Sequence, residues 1–371
     1  MQKTCWRELK NILCIRPDNM GDVIMTGPAI RALKEQNPYR KITLLASKAG
    51  SAVAPFMPEL DEIIEYDPFW VKNDAADSIA AFNDIVQLIQ EKQFDGAVIF
   101  TVYSQNPLPA AMLCYLAGIA NVAAYCRENP YHLINHWIPD KEPLFEIKHE
   151  VIRQLDLVAH LGAITTNDRL SLTISKGITE KVFNRLHQLL PPGKPFIILH
   201  PGVSEAKRQY APELFAQAAK EMINELGYPI LLTGSASERD LTNRIQKQIG
   251  AGAYSVAGDF SLEEFIALIK FAAVIVSNNT GPVHIAAATG TPVVVLYART
   301  NPQHTPWKVN HIVLPFDVPE ALQSKNTIIE YANDKAFEKS VPMVTPTQIT
   351  QAVKSLLTSN IAIVQQDMVK G

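Results

Sequence analysis

The sequence predicts an α/β protein built from two doubly wound domains that face each other across a cleft. Short apolar runs alternate with segments of helical period along nearly the whole chain, and the alternation occurs twice. A helix-rich stretch, closed by the punctuating PPGKP at 191–195, separates the two sets. Continuous apolar runs read as strands covered on both faces, and strand–helix alternation implies parallel sheets with right-handed crossovers.

The first set begins with NILCIRP from Asn11, then a helix around Pro28 to Gln36 and the strands KITLLAS and DEIIEY. A helix around Ser78 to Lys92 and the strand GAVIFTV follow. Pro107 to Ala124 is the most membrane-like stretch, but two prolines, a glycine and an asparagine interrupt it, so it reads as a buried helix followed by a strand. The second set is FIILHP, a helix from Pro212 to Leu226, PILLTG, a helix from Glu238 to Ile249, and YSVAG. It continues with a helix around Leu262 to Phe271, AVIVSN, a helix after Gly281, and PVVVLY. The expected domains are 1–176 and 177–345, with a last segment, 346–371, whose helix at Thr347 to Leu357 could pack back across the first domain.

Composition narrows the function classes. With 371 residues, 47% hydrophobic and 19% charged, the chain can bury two sizeable cores. A net charge of −3 gives no global field for nucleic acid or an anionic bilayer. The four cysteines form no CxxC pair, which argues against a disulfide scaffold or a zinc site and suits a reducing cytoplasm. The start MQKTCWRELKNILCIRP lacks the apolar core of a signal peptide, so a cytoplasmic protein with at most peripheral membrane contact is expected.

Three loops after strands hold candidate chemistry. Pro17-Asp18-Asn19-Met20-Gly21-Asp22 follows the first strand, with Thr26-Gly27-Pro28 as a cap and helix start beyond it. Asp22 then either points from a loop into the cleft or only favours a helix terminus. His200-Pro201-Gly202-Val203-Ser204-Glu205-Ala206-Lys207-Arg208 offers a glycine, the Ser204 hydroxyl and two cations after a buried strand, suited to a diphosphate or to plain solvation. Ser277-Asn278-Asn279-Thr280-Gly281-Pro282-Val283-His284 supplies a hydroxyl and a helix N-terminus that favour an anion, with His284 as a ligand contact or a packing residue. Other patterns fail. GAGAYSVAG from Gly250 is not GxGxxG, His132 and His136 share a helical spacing without HExxH, and neither DxD nor GxSxG occurs.

Taken together, ILCIRPDNMGDVIMTGPAIRALK, LHPGVSEAKRQYAPELF, LLTGSASERD and VSNNTGPVHIAAATGTPVVVLY resemble the heptosyltransferases of lipopolysaccharide core assembly, glycosyltransferase family 9. The likeness runs from about residue 11 to 307 with the motifs in order. It implies a GT-B fold of two Rossmann-like domains and an inverting transfer of heptose from ADP-heptose to an inner-core or related glycan or glycolipid acceptor. No metal or cofactor is implied, and any membrane contact is peripheral, at the inner face of the inner membrane. By resemblance, Asp22 is the catalytic base and Lys207 meets the donor diphosphate, in the loop that also holds Ser204. Glu238 lies near the nucleotide ribose, and Phe260, Ser261 and Leu262 line the adenine pocket. Asn279, Thr280 and Gly281 hold the diphosphate and sugar, completed by His284. The sequence departs from the family at Asn279, often an aspartate, and around Gln209-Tyr210, where a tryptophan is common. The alternatives are the same fold using a UDP- or GDP-hexose, or a catalytically silent nucleotide-sugar-binding protein.

Overall fold

The computed structural model describes residues 5–71, 79–337 and 341–369, with side chains described as far as 359. The chain divides into two compact units, Met1–Thr173 and Ile174–Gly371. In the first, β1 (Asn11–Arg16) leads into α1 (Met20–Gln36), β2 (Lys41–Ala46), the short α2 (Lys48–Ser51), β3 (Glu62–Glu65) and α3 (Ile79–Glu91). β4 (Gly96–Ile99), α4 (Leu108–Leu116), β5 (Val122–Cys126), β6 (His136–Pro139) and α5 (Glu150–Ala159) complete it. The second unit holds α6 (Lys176–Leu189), β7 (Ile197–His200), α7 (Pro212–Leu226), β8 (Ile230–Leu232), α8 (Arg239–Ile249), β9 (Ala253–Ser255) and α9 (Leu262–Phe271). β10 (Val274–Asn278), α10 (Gly281–Thr289), β11 (Val293–Ala298), β12 (His311–Phe316), α11 (Thr327–Ala336) and α12 (Pro346–Val369) follow.

Each unit contains one six-stranded sheet, in the orders β3-β2-β1-β4-β5-β6 and β12-β11-β10-β7-β8-β9. Every pairing is parallel, and the two orders are equivalent when each unit is numbered from its first strand. This is the doubly wound order, in which the topological switch lies between the first and fourth strands: β1 and β4 in one unit, β7 and β10 in the other. Strands such as Ile12–Ile15 and Val293–Ala298 are wholly buried, as continuous apolar runs covered by helices require.

The first helix differs from its sequence expectation. It begins at Met20, not near Pro28, so Asp22 sits in its first helical turn and not on a loop. Asn19 is extended (φ −72°, ψ 166°) at the N-cap, and Pro28 lies within the helix. A proline there removes one ladder donor, but α1 is buried from Val23 to Leu33 on all sides, and packing outweighs that local preference.

The interrupted apolar stretch forms α4 followed by β5, with Ala110, Ala111, Leu113 and Cys114 buried. Among the described residues, no helix is long and apolar enough to cross a membrane. The edge strands β6 and β12 carried no sequence expectation, and His136 lies on β6, so it shares no helix face with His132. Ile349, Ala352, Val353 and Leu356 of α12 bury themselves in the second unit's core. The expected return to the first domain concerns Thr347 to Leu357, the part of α12 that carries these core residues, and beyond residue 359 the side chains lie outside the described ones.

Candidate active site

In the first unit, β1 delivers Arg16 at its C-terminal end and α1 delivers Asp22 in its first turn. Arg16 is fully buried. Its Nη2 donates to Asp22 Oδ1 at 3.3 Å and also pairs with Glu150 of α5, while its Nε lies 3.2 Å from Asp18 Oδ2. Gln105 Nε2 donates to Asp18 Oδ1 at 2.5 Å, and the Thr26 hydroxyl donates to the Asp22 carbonyl at 2.8 Å. Burial pushes the Asp18 carboxyl up to about 6, with Arg16 opposing the shift and the charges of Asp22 and Glu150 adding to it.

In the second unit, the loops after β7, β8, β9 and β10 leave the carboxyl edge of one sheet and are bonded to one another. Asn278, the last residue of β10, donates from Nδ2 to the Pro201 carbonyl (2.8 Å) and accepts the Tyr210 N–H at Oδ1 (3.2 Å). Gln209 donates to the same carbonyl at 2.9 Å, and buried Tyr210 donates its hydroxyl to Val344 at 2.6 Å. Lys207 and Arg208 occupy the short turn Ala206–Arg208 and both pair with Glu205, at 2.7 and 3.4 Å. Arg208 Nη1 also donates to the Asn279 carbonyl at 3.2 Å, which joins the β7 and β10 loops. Ser204 is exposed on the same loop.

Glu238 accepts from the Ser235 N–H (2.7 Å) and hydroxyl (2.9 Å), a capping arrangement ahead of α8. Its carboxylate lies so close to Gly202 that a Cβ there would stand 2.0 Å from Oε1, so the glycine makes room for the acid. Neighbouring His200 bonds Thr233 Oγ1 at 3.0 Å, and burial drives its pKa down to about 4 against the pull of Glu238, so its imidazole is neutral at pH 7. The β9 loop packs on the β8 loop through Gly258, whose N–H donates to the Gly234 carbonyl at 2.9 Å. Phe260 lies beneath the Arg185 guanidinium at 4.2 Å. Ser261 caps α9, accepting the Glu264 N–H at 3.2 Å while the Glu264 carboxylate returns to the Ser261 N–H at 2.8 Å, and Leu262 is the first helical residue.

Asn279 is buried, donates its N–H to Leu296 at 3.1 Å, and has an Oδ1 with no hydrogen-bond partner among the described residues. Thr280 is extended at the N-cap of α10, and Gly281 and Pro282 open the helix. Thr280 and Gly281 are partly exposed, which leaves the positive end of the helix dipole accessible. His284 is buried, its ring edge-on to His304 with centroids 6.4 Å apart.

The second unit thus brings together Lys207, Arg208, Asn279, Thr280 and Gly281 through the Arg208–Asn279 bond, and Glu238 with Gly202 beside them. Asp22 belongs to the first unit. Sequence reasoning missed Arg16, Asp18, Glu150 and Arg185. Arg16 was visible as the charged end of an apolar strand and Asp18 as an acid four residues before Asp22. Glu150 and Arg185 gave no signal, because Glu150 meets Arg16 across 134 positions and Arg185 donates to the Asp259 carbonyl across 74.

Residues 84–344 match glycosyltransferase family 9 (heptosyltransferase). This chain belongs to that family. A family 9 protein is a glycosyltransferase enzyme, and this chain is one. It is similar to the lipopolysaccharide heptosyltransferase 2 of Escherichia coli K12, with 29% identity over 310 residues that cover 80% of this chain and 84% of the relative. Among solved structures, the family 9 glycosyl transferase of Veillonella parvula DSM 2008 superposes with a TM-score of 0.74 at 19% identity, covering 94% of this chain and 97% of that one. The E. coli ADP-heptose LPS heptosyltransferase II superposes with a TM-score of 0.70 at 24% identity, covering 94% and 99%. The family 9 chain has the α/β architecture of the GT-B type, each unit with the Rossmann-like sheet order described above.

Proposed function

We propose that the enzyme transfers heptose from ADP-heptose to a hydroxyl of a lipopolysaccharide inner-core or related glycan acceptor, inverting the anomeric centre without a divalent metal. The arrangement that supports this best is the joined pair of loops in the second unit: Lys207 and Arg208 beside the exposed N-terminus of α10. Two cations and a helix dipole are what a leaving diphosphate needs, and they can offset its charge without a metal ion. Asp22 is assigned as the base: the acceptor hydroxyl attacks the anomeric carbon, its proton passes to the Asp22 carboxylate, and the bond to the diphosphate breaks with its electron pair leaving on ADP. One displacement inverts the centre, and one carboxylate serves as base where an inverting glycosidase activates water. Glu238 suits a ribose hydroxyl, and Phe260 with Leu262 an adenine face.

The acceptor class follows the similarity to the E. coli lipopolysaccharide enzyme. Any membrane contact is peripheral, in a cytoplasmic setting. Incubating the protein with ADP-heptose, UDP-hexoses and GDP-hexoses, each with a deep-core acceptor, tests the reading. Release of ADP with an inverted heptoside as product is expected. Turnover of a UDP- or GDP-sugar in preference overturns the donor assignment, and nucleotide-sugar binding without any transfer points to the silent alternative.

A further inference from the structure

Arg16 is an unusual residue for its place. It ends a strand whose preceding residues Ile12 to Ile15 are apolar, and its side chain is fully buried. The fold does not require a guanidinium there, since an apolar residue fills such a position without the cost of desolvating a charge. The chain instead surrounds it with three carboxylates from three elements: Asp18 from the β1–α1 loop, Asp22 from α1 and Glu150 from α5. Glu150 is itself fully buried and is steadied by Gln154, whose Nε2 donates to Glu150 Oε1 at 3.3 Å and to the Thr101 carbonyl at 3.1 Å. Asp18 is steadied in the same way by Gln105. One nitrogen, Nη2, touches both Asp22 and Glu150, so the side chain with the greatest exposure of the three carboxylates, Asp22 at 15%, is tied through Arg16 to the most deeply anchored.

We propose that Arg16 is the positioning residue for Asp22: Glu150 and Asp18 fix the guanidinium, and the guanidinium fixes the Asp22 carboxylate in one orientation with a positive charge beside it. The inference rests on Asp22 being the base. Arginine suits the place because its charge is spread over a planar guanidinium: Nη2 lies against Asp22 and Glu150 while Nε stands at ion-pair distance, 3.2 Å, from Asp18, a span that the point charge of an ammonium does not cover. Asp18 and Glu150 orient Asp22 through Arg16, the Asp18 and Asp22 charges also act on each other directly, and neither Asp18 nor Glu150 is assigned contact with substrate.

A double-mutant cycle on the full-length enzyme tests this. Asp22→Asn, Arg16→Met, Arg16→Lys and the doubles Arg16→Met/Asp22→Asn and Arg16→Lys/Asp22→Asn are compared for kcat, acceptor KM, ADP affinity and melting temperature. Asp22→Asn is expected to lower kcat by about 10²- to 10⁴-fold. Arg16→Met is expected to lower it by about 10- to 100-fold, the scale of a misplaced catalytic group, with ADP affinity unchanged. Arg16→Lys, which keeps the charge but not the fork, should fall between Arg16→Met and wild type. The doubles should be no slower than Asp22→Asn alone, because Arg16 then has no base left to position. Doubles whose losses multiply, or an Arg16→Lys enzyme of wild-type kcat, overturn the proposal. If Arg16→Met does not fold, the Arg16→Lys pair decides the same question. A near-normal rate for Asp22→Asn sinks the base assignment itself, an outcome distinct from multiplying losses with a crippled Asp22→Asn.

Discussion

Gly202→Ala offers a test of the nucleotide site whose size follows from the geometry. The new Cβ would stand 2.0 Å from Glu238 Oε1, 2.4 Å from Cδ and 2.7 Å from Oε2. The atoms in the way are the far end of a flexible side chain, so the backbone can stay and the carboxylate must swing out. In doing so it gives up its bonds from the Ser235 N–H and hydroxyl. Loss of such a cap costs about 0.5–2 kcal/mol, which for a unit of this size lowers the melting temperature by about 2–4 °C per kcal/mol. If Glu238 also accepts from a ribose hydroxyl, a further charge-assisted bond of about 1.5–3 kcal/mol is lost, and ADP should bind about ten- to a hundred-and-fifty-fold more weakly. Calorimetric titration with ADP and a thermal melt on Gly202→Ala, Glu238→Ala and the double mutant measure both effects. The two substitutions act through one carboxylate, so the double should lose no more ADP affinity than Glu238→Ala alone. A Gly202→Ala protein that melts lower but binds ADP as wild type does would end the assignment of Glu238 to the ribose.

Other perturbations separate the remaining roles. Lys207→Ala should weaken ADP binding and slow transfer by about ten- to a hundred-and-fifty-fold, the worth of a charge-assisted phosphate contact, and unchanged titration and rate would reduce the lysine to a solvated loop residue. Glu205→Gln removes the carboxylate that pairs with both Lys207 and Arg208, so ADP affinity should rise by a few fold; a fall would mean that Glu205 serves the donor by holding the cations in place. Transfer should persist after exhaustive chelation, and a loss restored by magnesium would contradict the metal-free mechanism. Asp18 is raised from 3.8 to about 6, chiefly by burial, so its contribution to stability is full below the unfolded value and is lost as pH rises through about 6. Asp18→Asn should therefore gain melting temperature relative to wild type as pH climbs through that window, and a constant offset between the two melts would show that Asp18 does not titrate there.

The strands were legible because both sheets are parallel and buried on both faces, which turns each strand into a continuous apolar run such as IILH or VVVLYA. The strands β6 and β12 were not, since HWIP buries none of its residues completely and HIVLPF buries only Phe316. The start of α1 was misplaced because Pro28 is the strongest local signal in the segment, and local signals yield when a helix is buried all round. The loop residues could be read from glycines, hydroxyls and cations close together in the chain. The partners that hold them could not: Glu150 meets Arg16 across 134 positions, and only the packing of α5 on α1 brings them together.

The equivalence of the two sheet orders places the candidate residues of both units on corresponding loops. In a doubly wound sheet the loops after the first and fourth strands diverge to opposite faces, and the gap between them is the place where a ligand can reach backbone N–H groups and strand-end side chains. In the second unit these are the loops after β7 and β10, and they carry Lys207, Arg208, Asn279, Thr280 and Gly281. In the first unit the loop after β1 carries Asp18 and leads to Asp22, with Arg16 at the strand end below. The same edge of the same fold therefore carries two different sets of charges. One copy presents cations and a helix terminus, which suit a diphosphate, and the other presents three carboxylates around one guanidinium, which would repel a diphosphate and suit a base. That difference in charge, not any difference in topology, is our reason for proposing the donor site in the second unit and the base in the first.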